Sequence, residues 1–169
     1  MFFIYITMQN PLEYIDVQTG VYNRSLFKKI INSKISEKEE FSIICIQVEG
    51  LSYINEKFGL NNGNILIKQI ASFLLSFGKS YSVYRIGNRR FAIVMSKKNE
   101  FNFICNHIID RFYKPFNFNN INVYVNLWMY MCCLQSSKNI HSMNDILDII
   151  DYSLNEAKLN KKNSVVFAS

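Results

Sequence analysis

Two strand-like runs, residues 81–86 and 91–95, are separated only by Gly87-Asn-Arg-Arg90. A spacing that short predicts a tight antiparallel hairpin, with residues 87–90 forming the turn and its exit. The surrounding segments alternate between helical and extended patterns, the usual mark of a parallel sheet with crossover helices. A hairpin between consecutive strands excludes an all-parallel sheet. The chain is therefore expected to be α+β, with a ferredoxin-like core: a central, mainly antiparallel sheet of about five strands covered by helices.

The remaining elements follow from periodicity and caps. Asn23 is placed to cap a helix running to Ser36, with Leu26, Phe27, Ile30 and Ile31 on one face. Residues 41–48 are almost continuously apolar, as expected of a strand covered on both sides. Helical stretches follow over 52–58, ended by Gly59, and over 63–77. Residues 101–113 are helical up to Pro115, residues 117–122 are turn-like, and one long strand is expected over 123–134. Ser142 and Asp145 form a capping box for a helix to Lys158, and residues 165–168 form a last short strand.

The chain has 169 residues, enough for one domain with a full core, and its 49% hydrophobic and 19% charged residues exclude a disordered chain. A formal charge of +6 favours anionic partners, although dispersed lysines and a basic tail over 158–162 account for it as a solvated surface equally well. The four cysteines, Cys45, Cys105, Cys132 and Cys133, form no CxxC pair and are not grouped with His107 or His141. Zinc and disulfides are thus disfavoured, and a reduced cytoplasmic setting is expected. The apolar residues 1–8 are too short to span a bilayer and lack a basic leader; they read as the end of a connector or a cut segment. Tyr124, Trp128 and Tyr130 alternate along one strand without interleaved basic residues, which favours sheet packing over a nucleic-acid platform. Cys132 and Cys133 are read as packing residues, and His107 as a core-edge residue.

Four segments in order carry a resemblance. They are Asp16-Val-Gln-Thr19-Gly20-Val-Tyr-Asn23-Arg24, Gln47-Val-Glu49-Gly-Leu-Ser-Tyr-Ile-Asn55-Glu56-Lys-Phe-Gly59-Leu60-Asn-Asn-Gly63-Asn64, Arg85-Ile-Gly-Asn-Arg-Arg-Phe91 and Ser153-Leu-Asn-Glu-Ala157-Lys158-Leu-Asn-Lys-Lys162-Asn163. Together they resemble the GGDEF domains of diguanylate cyclases over residues 16–167. The resemblance implies the nucleotide-cyclase-type fold, a connector over 1–15 and the domain over 16–169.

The same resemblance implies a degenerate site. In the family, acids at the positions of Gln47 and Arg89 hold two magnesium ions, and a further acid stands where Arg90 does. A glutamine offers only a neutral carbonyl, and an arginine carries donors and a fixed charge, so neither replaces a metal-binding carboxylate. Glu49 is the one acid retained nearby. No catalytic residue, metal site or cofactor is then expected. The family's guanine-reading pair matches Asn55 and Asn64, and its phosphate-facing cations match Lys158 and Lys162, with Arg85 kept before the turn. The last two lysines are also explained as ordinary cations at a helix C-terminus. The family's product-binding Arg-x-x-Asp corresponds to Gly78-Lys-Ser-Tyr81, which has neither residue.

The expected function is a catalytically inactive regulatory or interaction module in cyclic di-GMP signalling, beside a neighbouring sensor or EAL domain and open to forming a homodimer. The alternative is a non-catalytic sensor of GTP or another purine nucleotide. Neither nucleic acid nor a membrane span within this chain is expected.

Overall fold

The apolar run becomes β2 (Ser42–Glu49), the spine of the fold. The computed structural model describes residues 11–77, 81–96, 101–118, 121–123, 128–135, 140–160 and 163–168. In β2, Ile44, Ile46 and Val48 point to one face and Ile43 and Cys45 to the other, joined there by Phe41 just before the strand, all at most 2% exposed. Period-two alternation in a strand buried on both faces accounts for the unbroken hydrophobic run.

Two layers of helices produce that burial. On one face lie α2 (Leu51–Phe58), α3 (Leu60–Leu75) and α4 (Phe101–Phe112), supplying Ile54, Leu66, Ile70, Ile104 and Ile108. On the other lie α1 (Arg24–Ser36) and α5 (Met143–Asn160), supplying Leu26, Phe27, Ile31, Ile146, Ile150 and Leu154. The two caps expected from sequence are present. Asn23 Oδ1 accepts from the Leu26 amide at 3.1 Å, and Ser142 and Asp145 bond each other's backbone amides at 3.2 and 2.9 Å.

Four more long strands and one two-residue strand complete the sheet. β1 (Tyr22–Asn23) pairs parallel with β3 (Ser82–Gly87), which forms the hairpin with β4 (Arg90–Met95). β4 and β7 (Trp128–Gln135) flank β2 antiparallel, and β8 (Ser164–Ala168) lies parallel to β7. The order is β1-β3-β4-β2-β7-β8, a mixed α+β sheet.

Two boundaries differ from the sequence reading. Helix α3 begins at Leu60, not Gly63, because Gly59 alone breaks the chain: its φ of 86° and ψ of 157° lie in a region essentially open only to glycine. The turn expected over 117–122 lies instead within a separate ribbon, β5 (Phe116–Phe118) with β6 (Ile121–Val123), and the strand expected over 123–134 is described as β7 from Trp128. Antiparallel pairing supplies these backbones with partners, which a propensity for asparagine in turns does not anticipate. Tyr124 lies outside the described residues, as do residues 1–8. His107 is exposed at the surface, its ring centroid 4.1 Å from that of Phe103 and tilted by 43°, not at a core edge. Among the described residues no helix is long and apolar enough to cross a membrane.

Candidate functional site

The site forms where the β3–β4 hairpin meets the end of β2. The ladder sets Gln47 opposite Arg90, and the Val48 amide donates to the Arg89 carbonyl at 2.9 Å. The pairing shifts register between Arg85 and Gly87, an irregularity of the kind that re-aims side chains beside sites.

Side chains near the expected metal positions form one closed network. Arg90 grips Gln47 Oε1 with Nη2 at 2.7 Å and Nε at 3.2 Å, while its Nη1 donates to Asp151 on α5 at 2.6 Å. Gln47 Nε2 donates to Glu49 Oε1 at 2.8 Å. Arg89 Nη1 donates to Glu49 Oε2, and Lys158 Nζ lies 3.6 Å from Glu49 Oε1. Both oxygens of Glu49 thus face a cation. Three cations, Arg89, Arg90 and Lys158, meet two carboxylates, Glu49 and Asp151, leaving one net positive charge. Among the described residues no group of three or more His, Cys, Asp or Glu side chains is arranged to hold a metal ion.

Beside this network, a cleft of about 470 Å³ is bounded by Leu51, Asn55, Asn64, Ile67, Arg85 and Arg89, with Gln18 at its edge. Asn55 on α2 leans on α3 so closely that a Cβ at Gly63 would fall 1.9 Å from its Oδ1. That Oδ1 is buried against Gly63 and, like Asn62 Oδ1, has no hydrogen-bond partner among the described residues.

Arg85 anchors the far wall. Its Nη1 donates to Asp16 Oδ1 at 3.1 Å and to Gln18 Oε1, and its Nη2 to the Asn88 carbonyl at 2.8 Å. Gln18 Nε2 donates onward to Asn64 Oδ1 at 2.7 Å. Burial pushes the Asp16 carboxyl up, but hydrogen bonds from Thr19 and Arg85, with the arginine's charge, hold it below the ordinary aspartate value.

Of the residues expected from sequence, Asn55, Asn64, Arg85 and Arg89 share the cleft, whereas Gln47, Arg90 and Lys158 lie in the adjoining network. Lys162 lies outside the described residues, as do Gly78 to Ser80 of the expected product site. Sequence reasoning missed Gln18 and Asp151. Asp151 was detectable at seven residues, two helical turns, before Lys158. Gln18 carries no comparable signal, since only the folded chain brings it to Asn64.

A mixed sheet of this order with helices on both faces is the α+β fold of solved GGDEF domains. The chain matches the family described as "Diguanylate cyclase, GGDEF domain" over residues 13–164, and it belongs to that family. It is 28% identical over 112 residues to "Diguanylate cyclase DgcN" of Escherichia coli (strain K12), covering 62% of this chain and 28% of that one. It is 21% identical over 158 residues to the "Uncharacterized protein y4lL" of Sinorhizobium fredii, covering 89% of this chain and 19% of that protein. The chain therefore spans under a third of the length of these curated relatives. Its fold is also that of a "Diguanylate cyclase/phosphodiesterase" from Caldicellulosiruptor saccharolyticus, with a TM-score of 0.79, 22% identity and coverage of 92% of this chain and 94% of that one. The GGDEF domain of DgcB from Caulobacter crescentus, solved with c-di-GMP, superposes at a TM-score of 0.77 with 14% identity, covering 93% and 94%.

Proposed function

We propose that this GGDEF domain makes no cyclic dinucleotide and acts as a regulatory or interaction module in cyclic di-GMP signalling, within a longer protein that carries a sensor or EAL domain. On this reading residues 16–169 are the module and residues 1–15 connect it to its neighbour. The observation that carries the reading is the occupation of Glu49 by Arg89 and Lys158. The donor set does not fit magnesium, a hard cation held through carboxylate oxygens. Gln47 already spends its carbonyl on Arg90, and an incoming divalent ion would meet fixed positive charge. Incubation with GTP and magnesium or manganese is expected to yield no cyclic di-GMP above a blank without protein. Saturable turnover would overturn the reading.

A second reading is supported by the cleft itself. Apolar walls at Leu51 and Ile67, two carboxamides and Arg89 suit a purine nucleotide bound without turnover. Arginine in place of a metal ion leads to an affinity that EDTA does not change. Calorimetry with purine nucleotides, with and without EDTA, tests this reading.

A further inference from the structure

The outer face of the α1–α5 layer carries groups that the fold of one chain leaves unused. On α5, Tyr152 and Leu159 are 69% and 81% exposed. They stand seven residues apart, two helical turns, and share one outward stripe with the exposed Asp148. On α1, Arg24, Lys28 and Lys29 are exposed within one turn of each other. The two helices lie side by side on the same face of the sheet. Even so, among the described residues no cation of α1 bridges an anion of α5. Lys34 pairs with Glu39 instead, and Lys29 lies over the Tyr14 ring. Asp148 and Glu156 likewise form no ion pair among the described residues.

A basic helix beside an acidic one is a self-complementary surface. A two-fold axis between the helices, parallel to the layer, sets α1 of one copy on α5 of the other, twice over. The α1 cations of each copy then face the α5 anions of the other, and Tyr152 and Leu159 leave water. Stacking α1 on α1, or α5 on α5, would bring like charges together, so charge selects the first arrangement. Helices of 13 and 18 residues side by side present a face about 20 Å wide and 27 Å long. A contact of that size suits a reversible dimer of micromolar affinity, with tyrosine as its anchor. We infer that the α1–α5 face joins two copies of this chain, α1 of each against α5 of the other. The cleft lies among α2, α3 and the hairpin, on the opposite face of the sheet, and stays open in the pair. The inference rests on neither reading of that cleft.

Analytical ultracentrifugation of the whole chain across the micromolar range tests it. Wild type is expected to pass from monomer to dimer as concentration rises. Lys28→Glu with Lys29→Glu turns the α1 face acidic, and Asp148→Lys with Glu156→Lys turns the α5 face basic. Each pair of substitutions alone is expected to weaken self-association about tenfold or more, because like charges then meet across the contact. An equimolar mixture of the two variants is expected to form a heterodimer about as tight as the wild-type dimer, since every contact is complementary again. Tyr152→Ala, which changes no charge, is expected to weaken the wild-type dimer about tenfold. A wild type that stays monomeric to about millimolar would leave this face to some other partner and overturn the inference. A dimer unmoved by either reversal or by Tyr152→Ala would overturn it too, as would a mixture of folded variants that fails to associate.

Discussion

Arg89 and Glu49 are 40 residues apart in sequence, yet Arg89 Nη1 donates directly to Glu49 Oε2 across the hairpin and the end of β2. The carboxylate is shielded to 14% exposure and is approached on its other oxygen by Lys158. A partly buried acid paired in this way has little cause to bind a further cation. This pair links the cationic turn to the expected loss of metal chemistry.

The first consequence concerns metal binding. Millimolar magnesium or manganese is expected to leave the melting temperature of wild type unchanged, since a ligand stabilises only through a site in the folded state. The combined substitutions Gln47→Asp, Arg89→Asp and Arg90→Glu are expected to create a manganese-dependent rise in melting temperature. They need not bring back turnover, because Asn64 also departs from the family pattern. A manganese-dependent rise in wild type would contradict the pairing argument.

The glycine at 63 should tolerate alanine with little net change in stability. Alanine is favoured over glycine in a helix by about 1 kcal/mol, which opposes the strain of a Cβ set 1.9 Å from Asn55 Oδ1. Rotation of the Asn55 side chain relieves that strain. Gly63→Ala is thus expected to melt close to wild type, within about 1 kcal/mol in stability. Thermal melts check this, and a large fall in melting temperature would mean that the Asn55 side chain cannot rotate away from the new Cβ.

Asp16 should show in the acid limb of stability. Its carboxyl titrates below the ordinary aspartate value in the folded chain, so the unfolded chain takes up its proton first as pH falls. The resulting stability is complete above the ordinary aspartate pKa and is lost as pH falls through the folded value. Melting temperatures of wild type and Asp16→Asn are expected to differ most near neutrality and to converge below about pH 4. A difference that is constant with pH would mean that Asp16 acts through shape rather than charge.

Removing the Ser142 cap is expected to cost about 1 kcal/mol, since the Asp145 amide loses the hydroxyl it now donates to at 3.2 Å. For a domain of this size, Ser142→Ala should lower the melting temperature by about 2–4 °C. Ser142→Thr, which keeps the hydroxyl, should recover most of the loss.

The features legible in the sequence are those whose physical cause is local. Asn23 caps α1, Ser142 and Asp145 cap α5, and the apolar run of β2 announces a strand covered on both faces, because each depends on residues within a turn or on a period of two. The short gap between β3 and β4 likewise implies an antiparallel hairpin. The start of α3 is not legible in this way because one glycine ends α2 and begins the next helix together, and the β5–β6 ribbon is not because pairing overrides turn propensity. Sequence also supplies every cation of the site, but not the direction of its hydrogen bonds. That Arg85 meets Gln18, and Gln18 meets Asn64, depends on contacts between residues 67 and 46 positions apart. Only the assembled sheet and helices bring those groups within bonding distance, so only the tertiary structure decides which atoms of Gln18 and Asn64 these bonds engage.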